Sequence, residues 1–370
     1  MMLSDRLLVA AIALVVASLF ARGLGTHSPV EHLPRHHHQP SPQPRAPSHP
    51  TSSYTLSFSL STVTDFLSFF DFAAVADPSG GVVEYVNQSE AKRLHLYGPG
   101  QDGSGFRFSA DLTESNITGP GRKSLRFVSK KTYGDGLYIF QVRKGPAGCG
   151  VWPALWTVIE KDWPLHGEID VLEWSNGRRR FNSPNLHTGQ NCTMPGDQGG
   201  KYYSGRSQGI LDCDSINGKN GNIACGIDSV SSPLSSGVAH NANGGGYNVM
   251  HRTSSAITHW FFTECSAPTI ITNPPSHLPA GWEESLGKPD ARFPSSKSCD
   301  LAAKLNEPHN VIMNIDFCGL AQGYWEEEGC LAVAPDCYSW AKTPDATRYY
   351  RLEGQSVDFD IARFSYYKME

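Results

Sequence analysis

An all-β sandwich or barrel is the fold class this sequence predicts, on three observations. Short runs alternate apolar and polar residues with period two, as in Leu125-Arg-Phe-Val-Ser129, Leu137-Tyr-Ile-Phe-Gln-Val142 and Val311-Ile-Met-Asn-Ile315, the pattern of strands with one face in a core. Clusters of Gly, Pro, Asn and Ser separate these runs, with 36 Gly and 25 Pro in the 370 residues, and such residues punctuate turns. No long helical periodicity interrupts the series, which argues against an α/β fold.

The chain begins with a short charged head, Met1 to Arg6, followed by an apolar run from Leu7 to Ala21. That layout predicts a secretory signal peptide over 1–21, since a spanning helix needs about 20 apolar residues. Residues 22–53 hold seven prolines and six histidines and nothing able to build a core, so they are expected to form a disordered linker or tail. The triplet His36-His37-His38 lies there without fixed partners, which reads as a polar spacer and not as a metal site. Residues 54–370 show no further composition break and are expected to be one domain.

All nine cysteines fall between Cys149 and Cys337, which suits an oxidising compartment and permits at most four bridges, with pairing undecided. The sequons at Asn87, Asn116 and Asn191 agree with secretion. A net charge of −5 with no basic block beyond Arg178-Arg179-Arg180 argues against a nucleic-acid partner.

The stretch that carries chemistry is Trp163-Pro-Leu-His-Gly-Glu-Ile-Asp-Val-Leu-Glu-Trp174, which places Glu168, Asp170 and Glu173 within six residues of a strand-prone run. Alternation sends Glu168 and Asp170 to one face and Glu173 to the other. A β-bulge near Val171-Leu172 restores Glu173 to the first face, and bulges are over-represented beside active sites. Two carboxylates flanking a sugar bond suffice for glycoside hydrolysis, and a third carboxyl between them splits their protonation. The bare hexad fits a solvated edge or a cation-binding strand as well. Trp152, Trp156 and Trp163 are candidate sugar platforms, although large aromatics in sandwiches are more often core.

With its flanks, the sequence resembles glycoside hydrolase family 16, in particular fungal laminarinase-like members, through residues 121–133, 150–158, 166–173 and 186–196. The resemblance implies a β-jelly-roll of two antiparallel sheets with a concave substrate cleft. It also implies a retaining mechanism with Glu168 as nucleophile, Asp170 as assisting acid and Glu173 as general acid/base. It places Trp156 and Trp163 near sugar subsites and His187 on the adjoining strand, facing the cleft. No cofactor is expected, and no loop with the closely spaced oxygens that calcium needs is apparent, so no metal is expected either.

The implied function is a secreted endo-β-glucanase acting as a monomer on 1,3- or mixed 1,3/1,4-linked β-glucan, without stable membrane insertion after leader cleavage. The alternatives are a wall transglycosylase and a non-catalytic glucan-binding protein; binders typically lose a carboxylate that this chain keeps. Three departures stand out against the family pattern: Trp174 in place of a usual glycine, His251-Arg252 in place of an acid and a tryptophan, and Leu320-Ala321 in place of aspartate and tryptophan. The first is expected to set a bulky ring beside the cleft. Glu84, at a position where the family tends to touch sugar, is left without a role.

Overall fold

The computed structural model describes residues 53–177, 181–196, 198–217 and 224–370. The leader, residues 22–52 of the tail and the Arg178-Arg179-Arg180 run lie outside them. The described residues form one compact unit, built on two eight-stranded antiparallel sheets and a short parallel pair, Val83–Tyr85 with Arg122–Ser124. Among the described residues the longest helix, Val63–Phe69, has only seven residues.

One sheet runs in the order Arg206–Ser207, Cys225–Asp228, Asn185–His187, Glu168–Glu173, Val151–Val158, Asn310–Phe317, Arg126–Ser129 and Phe70–Phe72. The second runs Ala291–Pro294, Ala256–Phe262, Gly246–Arg252, Gly136–Lys144, Asp358–Met369, Phe106–Ser109 and Tyr97–Gly98, with Tyr54–Leu60 also paired to Asp358–Met369. Antiparallel pairing throughout each sheet keeps period-two alternation, so each strand can turn one face to a core and the other away from it.

Apolar side chains from both sheets meet between them. Leu155, Ile169, Leu172, Leu186, Met313 and Ile315 come from the first sheet, Phe140, Phe359 and Phe364 from the second, and all are fully buried. Phe127 of the first sheet lies 5.4 Å from Phe106 and 5.1 Å from Phe108 of the second, both edge-on, the favoured geometry for aromatic pairs. Four disulfides, Cys149–Cys330, Cys192–Cys299, Cys213–Cys225 and Cys318–Cys337, leave Cys265 as the odd, exposed thiol.

One strand is longer than its alternation suggests, and one sequence expectation, that of Trp174, is corrected. The alternation over Val357-Asp-Phe-Asp-Ile361 predicts a closing strand, which is present and runs further, as the twelve-residue strand Asp358–Met369 inside the second sheet. Register shifts on both sides of Ile361 break the alternation there and hide the rest of the strand. Trp174 does not stand beside the cleft. It is 1% exposed, and its indole N–H donates to Pro146 O at 2.7 Å. Because the bulge turns Glu173 outward, the next residue faces the core. A Cβ on Gly145 would lie 2.6 Å from the Trp174 ring, so the absent side chain at 145 makes the room that the ring fills.

Candidate active site

The site begins with a glycine. Gly167 has φ +80°, and a Cβ there would lie 2.3 Å from Leu305, so only glycine lets the chain turn into strand Glu168–Glu173 at this point. Along that strand Glu168 pairs with Val158 and Asp170 with Trp156, then the register slips so that Leu172 faces Leu155 and Glu173 faces Ala154. Directly paired residues share a face. The slip therefore returns Glu173 to the face of Glu168 and Asp170, as the spacing predicts. Asn182 secures the bulge: its Oδ1 accepts from the Glu173 N–H and its Nδ2 donates to Val171 O, both at 2.8 Å.

The same pairing rule assembles the rest of the face. His187 lies opposite Glu168 and Asn185 opposite Asp170. Across Val151–Val158, Asn314 pairs with Ala154 and Asp316 with Trp152, and Arg126 pairs with Asn314. Acids, amides, tryptophans and an arginine thus line one side of a sheet whose other side is apolar.

Hydrogen bonds give each acid a distinct setting. Glu168 accepts from the Trp163 indole at 2.5 Å. His187 Nε2 stands 3.7 Å from Glu168 Oε1 and 3.4 Å from Asp170 Oδ2, while its Nδ1 lies 3.1 Å from Ser215 Oγ. Asp170 Oδ2 is buried and makes no well-aligned hydrogen bond. Burial holds the Asp170 carboxyl well above its usual range, and the Glu173 and Glu168 charges push the same way. Burial also raises Glu168, partly offset by His187 and the Trp163 N–H. Burial alone would lower His187, but Glu168 and Asp170 outweigh it and lift the imidazole to about 9. His187 is therefore a cation at neutral pH, and it titrates with the Glu168 and Asp170 carboxyls as a set.

The three tryptophans differ in use. Trp163 is 37% exposed beside Glu168. Trp156 is half-buried, gives its N–H to Asn314 Oδ1 at 2.8 Å and lies under Arg126, 5.0 Å from the ring centroid. Trp152 gives its N–H to Glu173. Asn182, Asn185, Asn314 and Arg126 have no place in the sequence reading; alternation along Asn310–Phe317 does put Asn314 and Asp316 on one face, a signal that could have found them.

Glu84 lines an open pocket of about 380 Å³ with Val75, Asp77, Tyr85 and Pro120, and Tyr85 OH accepts from Asn314 Nδ2 at 3.2 Å. Of the departures, His251 and Arg252 lie in the second sheet. His251 stands 2.8 Å from Tyr54 OH, and Arg252 donates to Leu305 O and Glu307 O. Leu320 and Ala321 start a four-residue helix beyond Phe317.

Glu168, Asp170 and His187 each offer one ligand atom within 4.8 Å of the others, the one such grouping among the described residues. A divalent cation there would have to displace the proton that His187 retains.

Asp316 adds a buried acid to the face. Ser79 Oγ lies 2.7 Å from Asp77 Oδ1 and 2.9 Å from Asp316 Oδ2. One hydroxyl proton cannot serve both contacts, so a carboxylic acid must supply the other. Burial, reinforced by Asp77, lifts Asp316 to about 8, which makes it the acid. With the folded value above the unfolded one of about 3.9, its contribution to stability is complete below that value and declines as pH rises towards 8. Asp316→Asn should therefore gain stability relative to the parent between about pH 4 and 8, by roughly 2 kcal/mol or more. A denaturation series over that range checks this; a difference independent of pH would contradict it.

A family model described as the XgeA-like catalytic domain of glycoside hydrolase family 16 matches residues 70–353. The chain belongs to glycoside hydrolase family 16. A probable glycosidase of Schizosaccharomyces pombe is 33% identical over 296 residues, 79% of this chain and 66% of that protein. The chain spans between 34% and 40% of the fungal endo-1,3(4)-β-glucanases it also matches, the first from Aspergillus niger.

Among solved structures, Laminarinase 16A from Phanerochaete chrysosporium, with β-glucans in donor and acceptor sites, is 34% identical with a TM-score of 0.75. The match covers 85% of this chain and all of that one. An elongating family 16 β-1,3-glucosyltransferase is 30% identical with a TM-score of 0.72 and the same coverage of this chain. The fold is accordingly the family's jelly roll.

Proposed function

We propose that this protein is a secreted retaining endo-β-glucanase acting on 1,3- or mixed 1,3/1,4-linked β-glucan. The observation that carries the reading is the bulge, which sets Glu168, Asp170 and Glu173 on one polar face beside Trp163. An oxygen of Glu168 bonds to the anomeric carbon as the glycosidic bond breaks. The bonding pair stays on the leaving oxygen, which takes its proton from Glu173. Water then attacks the same carbon, returns a proton to Glu173 and frees the Glu168 carboxylate. Asp170, whose carboxyl burial and the neighbouring acids hold above its usual range, sits between His187 and the acid pair and favours a shared proton in the cluster. His187, as a cation, favours the ionised nucleophile.

Secretion is supported by the apolar leader, the four disulfides and the sequons, and no helix among the described residues is long and apolar enough to cross a membrane. A second reading, transfer of the glycosyl group to a sugar hydroxyl in place of water, is supported by the likeness to the elongating glucosyltransferase. Incubation with laminarin, lichenan, xyloglucan and galactan, with products sized, tests both readings. Shorter oligosaccharides from laminarin or lichenan mark hydrolysis, longer ones mark transfer, and no change in any polymer refutes both.

Trp163 is the proposed sugar platform, with Trp156 further along the cleft and His187 contacting the acids. Trp163→Ala should weaken laminarin binding and cost no more than about 1 kcal/mol of stability, because a ring 37% exposed contributes little to the core. A loss of about 3–5 kcal/mol with affinity retained, the signature of a buried ring, would rule out the platform. Melting temperature and affinity on one preparation decide.

A further inference from the structure

Glu173 is held at both oxygens. Trp152 Nε1 donates to Oε1 at 2.8 Å, and Asn185 Nδ2 donates to Oε2 at 2.7 Å. Each carboxyl oxygen carries two lone pairs, so one N–H on each leaves a position free for a proton and for a sugar oxygen. The two donors are themselves seated by the fold. Gly319, at φ +46°, lies against the Trp152 ring, where a Cβ would come within 2.6 Å, and the Cys318–Cys337 bridge fixes that segment beside the strand end. Asn185 is 8% exposed, and its Nδ2 also donates to Ser183 O at 2.9 Å. Its Oδ1 faces Gly226, where a Cβ would lie 2.5 Å away.

A glutamate on a strand has freely turning terminal torsions, and misplacement of a catalytic group by about 1 Å can cost 10²-fold in rate. Ala154, the cross-strand neighbour of Glu173, is too small to restrain it by packing. The restraint on the carboxyl therefore comes from the two N–H donors. From this geometry we propose that Trp152 and Asn185 are positioning residues, which aim the Glu173 carboxyl at the glycosidic oxygen. The proposal rests on the reading of Glu173 as general acid. It gives Trp152 a task different from that of a sugar platform, because the ring's polar edge is spent on the acid.

The test uses substrates that differ only in their need for a proton. Departure of a dinitrophenolate needs no protonation, whereas departure of a sugar hydroxyl does. For the full chain, Trp152→Phe and Asn185→Ala should each lower kcat/KM on laminarin by about 10-fold or more, a part of the 10²–10⁴ that general acid catalysis supplies. On a dinitrophenyl β-laminaribioside the loss should stay within about threefold, because that step makes little use of the acid. Glu173→Ala serves as the reference and should show the same asymmetry more strongly.

Equal losses on both substrates would mean a merely structural role, and a rise in KM on laminarin with kcat unchanged would mean a sugar contact; either overturns the proposal. Equal losses in Glu173→Ala itself would instead overturn the general acid reading. Should Trp152→Phe or Asn185→Ala fail to fold, replacing Trp152 with benzothienylalanine, which keeps the ring shape and lacks the N–H, gives the same comparison.

Discussion

Glu168→Gln is expected to abolish turnover on laminarin while the protein keeps its fold. The amide occupies nearly the same volume as the carboxyl, and its oxygen can still accept from the Trp163 indole, so packing around strand Glu168–Glu173 is undisturbed. It cannot form the glycosyl intermediate, and its loss should lower kcat at least as far as loss of a proton-transfer group does, roughly 10²-fold or more. A variant that keeps more than about a tenth of the parent rate, with an unchanged melting temperature, would remove Glu168 from the nucleophile role.

The pH profile offers a second reading of the same residue. Glu168 must be ionised to attack, and burial raises its carboxyl. The acid limb of kcat/KM should therefore lie above the value of about 4.3 for a free glutamate. Because Glu168, Asp170 and His187 titrate together, that limb belongs to the cluster and not to one carboxyl.

Trp174→Ala is expected to be the most costly single change to stability, about 3–5 kcal/mol. The ring is 1% exposed in the core cluster, and Pro146 O would lose its N–H partner besides. For a domain of this size that is a fall in melting temperature of very roughly 10 °C. Activity per folded molecule should be retained, since the ring lies on the core side of the bulge. If Trp174→Ala instead left stability intact and changed the product pattern, the ring would have to face the cleft.

The sequence by itself determined the all-β class and the gathering of Glu168, Asp170 and Glu173 on one face. Period-two runs with half of each strand apolar limit the chain to a sandwich or a barrel, and E-x-D-x-x-E in such a run needs a bulge to gather its carboxylates, as the pairing of Asp170, Leu172 and Glu173 bears out. It also carried the position of His187, through the block that contains it. Only the tertiary structure decided what surrounds those acids. Asn185 and Trp152 meet Glu173 from strands 12 and 21 residues away in sequence, and Asp77 and Ser79 reach Asp316 across more than 230 residues. Local periodicity reports which face a residue takes, but not which strand lies beside it.

Trp174 shows the limit from the other side. Its composition and adjacency to Glu173 read as cleft, yet a one-residue slip in register reverses every face beyond it. A glycine at position 145, 29 residues earlier in the chain, provides the space the ring occupies. Side-chain direction after a bulge, and the partner that makes room for it, are properties of strand pairing, and pairing is settled only when the whole sheet closes.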